Sequence, residues 1–197
     1  MTKQSRILLI IAVLALGTMY VFPIWKINLD APQYPEGIGM YIRINTIHGI
    51  KPNDLDNING LNHYIGMKRI EPDSITELKV MPWIIGFLMA FGLLAAWAGK
   101  PWMLYTWTAV FLIVAVVGLV DFYLWEYDYG HNLNPHAAIK VPGMSYQPPL
   151  LGSKQLLNFT AHSWPAFGGW MAFLALALGL TASYLEIKRR KNRISVV

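Results

Sequence analysis

The chain contains no cysteine, and that single absence removes disulfides, thiolate metal sites, covalently attached c-type haem and cysteine-ligated iron–sulfur clusters. Charge is scarce too: 14% of the 197 residues are Asp, Glu, Lys or Arg, against 55% hydrophobic. No Gly-rich phosphate loop precedes an expected helix and no nucleophile–base motif is visible, so the common signatures of nucleotide-dependent and hydrolytic enzymes are missing. The expectation is a non-enzymatic protein, with proton transfer at the acids around Asp121 left open.

What is present is long apolar sequence. Ile7 to Trp25, Val80 to Gly99, Trp102 to Leu124 and Trp164 to Leu185 each run for about 20 mainly apolar residues, the length a helix rising ~1.5 Å per residue needs to cross a hydrocarbon core of ~30 Å. Asp121 is the only acid within those limits, near the end of the third run. The fold class expected is an all-α membrane protein: four transmembrane helices with two structured extracytoplasmic loops.

Basic residues orient it, because short positively charged segments resist translocation. Residues 1–6, 100–101 and 186–197 hold eight basic residues and one acid, a net +7, whereas the other two connecting segments, counted to include Asp121, hold eight basic and ten acidic residues, a net −2. The termini and the 100–101 turn are therefore expected on the cytoplasmic side, the spans at 7–25, 80–99, 102–124 and 164–185 in the membrane, and loops 26–79 and 125–163 outside. The basic excess reads as a topology signal and an attraction to anionic lipid, with no nucleic-acid partner expected. Ala15-Leu16-Gly17 loosely matches a signal-peptide cleavage pattern, but the apolar run outlasts a signal core and ends in interfacial Tyr20 and Trp25, which favours an uncleaved signal anchor.

All five histidines fall in the outside loops. In the first loop, Asp30 to Gly37 reads as an irregular exit from the membrane, Tyr41 to Ile47 alternates like a short strand, and Lys51 to Gly60 reads as a loop or frayed helix. Its oxygens resemble a calcium loop, yet the fifth position is Ile58, the glycine comes late at Gly60, and the twelfth position is Ile65 in place of a bidentate glutamate. His63 and Met67 are four residues apart and would share a face of a helix. An imidazole beside a thioether suits copper better than zinc or magnesium, although an isolated pair of this kind is commonly just packing and hydrogen bonding. Glu71 to Glu77 supplies acids and a cap for a helix feeding the second span.

In the second loop Asp121, Glu126, Asp128, His131 and His136 crowd a membrane border, where such groups are costly unless solvated, paired or bound to an ion. Gly130 and Pro135 should place His131 and His136 on a turn, the proline-rich run from Val141 to Gly152 should hold Met144 in place, and Gln155 to Ala161 reads as a short surface helix. His48 and His162 have no soft or acidic neighbours close in sequence and read as structural. The candidate metal ligands are His63, Met67, His131, His136 and Met144; Asp121, Glu126 and Asp128 are candidate second-sphere or proton-transfer groups.

The run YDYGHNLNPHAAIKVPGMSYQPPLLGSKQLLNF, from Tyr127 to Phe159, together with NHYIGMKRI from Asn62 to Ile70, resembles small multispanning membrane proteins encoded beside nitrous oxide reductase in Bacteroidetes-type denitrification gene clusters. The resemblance implies an accessory role in maturing a periplasmic copper enzyme, supplying it with copper directly or through a copper chaperone, or passing it electrons. It names no catalytic residue. Two alternatives stay open beside it: a docking or assembly subunit without metal, and a quinone-linked subunit with a pocket near Asp121, Glu126 and the border aromatics. No span carries a histidine near its middle, so membrane haem is not expected.

Overall fold

The computed structural model describes residues 1–194; the last three residues of the expected 186–197 tail lie outside the described residues. Among the described residues there are five α-helices: α1 (Lys3–Gly17), α2 (Asp54–Ile65), α3 (Thr76–Ala98), α4 (Pro101–His131) and α5 (Phe167–Ile194). Five strands accompany them: β1 (Trp25–Ala31), β2 (Tyr34–Ile42), β3 (Ile47–Gly49), β4 (Gly152–Leu156) and β5 (Phe159–Pro165).

Four helical stretches, Lys3–Tyr20, Thr76–Ala98, Pro101–His131 and Phe167–Asn192, are long and apolar enough to cross a membrane. They form one bundle in which α1 packs on α5 and α3, and α4 on α5 and α3. Its core gathers Leu9, Val13, Leu16, Leu88, Leu104, Trp107 and Phe111 with small residues such as Ala12, Ala175 and Ala182. Trp107 is the organising side chain. Fully buried, it donates its indole N–H to the Leu88 carbonyl at 2.8 Å, and Gly92 and Gly179 admit its ring, since a Cβ there would come within 2.8 Å and 2.6 Å of it. The outward faces stay apolar, with Trp83, Trp97, Ile113, Val117 and Val120 all exposed.

The all-α expectation is overturned by a five-stranded antiparallel sheet in the order β3-β2-β1-β5-β4 at one end of the bundle. β1 is its middle strand. Trp25, Ile27, Leu29 and Ala31 alternate inward while Lys26, Asn28 and Asp30 turn outward or lie half-buried, the period of two that buries one face of a sheet. After the two-residue turn Pro32-Gln33, β2 returns with Ala31 opposite Tyr34 and Trp25 opposite Ile42. The segment read as an irregular membrane exit is thus a hairpin. β5, from the far loop, pairs with the other edge of β1, Trp25 opposite Pro165 and Asn28 opposite His162. Gln155 to Ala161, expected as a surface helix, is instead the β4–β5 turn region.

A second core lies under this sheet. Ile27, Leu29, Ile38, Met40 and Ala161 meet Ile58 of α2, Leu78 of α3 and Tyr129 of α4. α4 reaches that far because its 31 residues, at about 1.5 Å each, make a rod of roughly 46 Å, longer than a hydrocarbon core. α2 is held to the sheet by Asp54, a buried carboxylate that accepts the backbone N–H groups of Gly39 and Lys51, both at 3.1 Å.

Candidate functional site

The two segments singled out by sequence meet at the sheet end of the bundle. α2 ends where Gly66 takes a left-handed conformation, φ 82°, and the N–H groups of Gly66 and Met67 return to the carbonyls of His63 and Asn62, a glycine C-cap of the Schellman type. That cap exposes two carbonyls to the second segment: Gly66 accepts from the Asn134 N–H at 2.8 Å and Tyr64 from the Ile139 N–H at 2.9 Å. The Lys68 ammonium pairs with Asp128 at 2.5 Å, and the Tyr129 hydroxyl donates to the Arg69 carbonyl at 3.2 Å. Residues 64–69 are therefore pinned along the last turns of α4 and the loop that follows.

On this patch His63, His131 and His136 are all exposed. His131 closes α4; its Nδ1 lies 3.0 Å from the Tyr127 carbonyl and its ring stacks on Tyr127 at 3.9 Å between centroids, which leaves Nε2 uncommitted. His136 sits in the turn after Asn134, held by its backbone N–H donating to the Asn134 side chain at 2.8 Å. His63 packs edge-on against Tyr64. Met144 is half-buried in the following turn, its backbone N–H donating to the Val141 carbonyl.

The remaining candidates are dispersed. Because the helix stops at Ile65, Met67 does not share a helical face with His63; it is half-buried and packs against the sheet core. The three acids do three different things. Asp128 is tied to Lys68 and to the Asn132 side chain. Glu126 is fully buried with neither carboxyl oxygen hydrogen-bonded. Asp121 lies one to two turns earlier on α4, exposed at the rim of a cavity. Among the described residues no three His, Asp or Glu side chains converge as a metal-ion group. His162, read as structural, stands between Ser153, 2.6 Å from its Nδ1, and Asp30, 3.1 Å from its Nε2; the β4–β5 hairpin supplies the first and β1 brings in the second from distant sequence.

The cavity was only partly visible from sequence. It measures about 210 Å³ and lies beneath the sheet, walled by α3, α4, α5 and the start of β1. Trp25, Phe111, Phe122 and Trp125 supply its aromatic surfaces, Ala115, Gly118, Gly169 and Ala172 its small ones, and Arg43, Glu77 and Asp121 its charges. Arg43 donates to the Val21 carbonyl, fastening the sheet to the end of α1. Nothing in the run of sequence connects Arg43 with Asp121; only the sheet places both over one opening.

No protein-family model matches the chain, and no curated protein matches it either.

Proposed function

We propose that the chain is a non-enzymatic accessory protein of the bacterial inner membrane, crossing it four times with both termini in the cytoplasm, and that the sheet end stands in the periplasm as a platform serving a copper enzyme or its chaperone. The observation that carries this reading is the hydrogen-bonded union of the two motif segments, which sets the exposed imidazoles of His63, His131 and His136 on adjoining backbone, His131 with its Nδ1 turned to the Tyr127 carbonyl.

The donor set fits a soft ion. Imidazoles with a thioether, without thiolate or a converging carboxylate group, suit Cu(I) held by few ligands better than zinc in a closed tetrahedral site. Open, low-coordinate binding is also what delivery requires, because a partner must be able to take the ion. His131 and His136 would be the principal ligands, with His63 or Met144 completing the set; Met67, committed to the core, is the least available of the five.

Titration of the protein, purified in mild detergent, with Cu(I) against a chromogenic chelator tests this. The double variant His131→Ala/His136→Ala is expected to bind at least tenfold more weakly. Unchanged affinity in that variant removes these ligands, and no binding by either protein leaves the platform as a docking subunit without metal.

A further inference from the structure

The metal reading makes no use of the cavity beneath the sheet. We propose that this cavity is a binding site for the planar head of an isoprenoid quinone, entered sideways from the bilayer; the proposal rests on the chain spanning a membrane and is independent of copper.

Size narrows the occupant first. An apolar cavity of roughly 150 Å³ holds one benzene ring, so about 210 Å³ suits a substituted ring system with the beginning of a tail. A phospholipid brings two long chains and an ionised phosphate, and neither fits a ring-sized space with carbon walls. Shape narrows it further. The indole of Trp25 meets Phe122 edge-on at 5.5 Å, and Phe122 and Trp125 are stacked at 6.3 Å and 26°, so the upper wall presents ring faces and edges, the surfaces against which another planar ring packs best. Further along the same face of α4, Gly118, four residues before Phe122, and Ala115, three before Gly118, keep the wall low, and a Cβ on Gly118 would meet nothing within 4 Å.

The polar groups are few and peripheral, as in most small-molecule sites. Asp121 and Glu77 are electrostatic neighbours at the rim, placed to accept hydrogen bonds from ring hydroxyls. The Arg43 guanidinium, with N–H groups beyond the one given to Val21, can donate to a ring carbonyl. Met81, Val114, Gly118 and Leu119 are only half-buried, so the cavity opens on the outer surface of the bundle, where an isoprenoid tail can leave into lipid. The rim lies at the sheet end of the spans, the depth at which a polar quinone head meets the interface.

Binding is read from quenching of tryptophan fluorescence, since Trp25 and Trp125 line the site. The full chain in mild detergent is titrated with short-tail ubiquinone and menaquinone analogues, in parallel with Gly118→Phe, which fills the open space. Saturable quenching is expected for the native chain, at least tenfold weaker for the filled variant at an unchanged melting temperature; should Gly118→Phe fail to fold, Ala115→Leu is the variant read. Quenching that never saturates, that is equal in a folded filled variant, or that is abolished by excess phosphatidylethanolamine overturns the proposal.

Discussion

Gly66 is a position where the chain has little freedom to change. An alanine there must hold φ near 82° and bring its Cβ to within 2.9 Å of the Ala137 Cβ; left-handed strain costs about 1–2 kcal/mol and the collision adds to it. Gly66→Ala is expected to lower stability by about 2 kcal/mol or more and to make the 132–151 loop the first site of limited proteolysis. Lys68→Ala should do far less. Its ion pair joins side chains 50% and 41% exposed, and pairs so wet contribute roughly 0–1 kcal/mol, so a melting curve that drops further for Lys68→Ala than for Gly66→Ala would contradict this ranking. Glu126 runs the other way. A sealed carboxyl without a partner is a cost, and exchanging buried ionisable groups for apolar ones of similar volume is commonly neutral or stabilising. Glu126→Met is therefore expected to melt at or above the native temperature; clear destabilisation would mean that the carboxyl has a ligand.

At the scale of elements, what sequence disclosed followed the length of the signal. The four bundle helices announced themselves because some twenty successive residues repeat one property. α4 extended past Leu124 because Phe122, Trp125 and Tyr129, three and four apart, turn one aromatic face toward the sheet core, a helical spacing that the charges between them obscured. The strands were hidden for a different reason. β1 is seven residues long and abuts the first apolar run, so Trp25 read as the end of a span, while the first part of β2 carries Pro35 and Gly37 and read as an irregular exit, only Tyr41 and Ile42 falling in the stretch read as a strand. Most decisively, the partner that completes β1 lies in the other loop, Asp30 opposite Thr160, and pairing at such separation leaves no local trace. The same distance hid the pairing of His162 with Asp30. Hydrogen exchange should reproduce the hierarchy, with amides of β1, paired on both sides, exchanging most slowly and those of edge strand β4 among the fastest in the sheet; a β4 slower than β1 would mean that another chain covers that edge.

For the molecule as a whole, the sheet is the device that turns two loops into one body. It draws residues 25–49 and 152–165 together and roofs the cavity between α3, α4 and α5. The metal reading depends on that end facing away from the basic tail. The absence of cysteine makes the claim directly measurable, since each introduced thiol is the only one. Cells carrying Ser153→Cys, Asn134→Cys, Lys100→Cys or Lys191→Cys are treated, after opening of the outer membrane, with a maleimide that cannot cross the inner membrane. The account predicts labelling of the first two in intact spheroplasts and of the last two only after lysis; labelling at Lys100→Cys with protection at Ser153→Cys would contradict it.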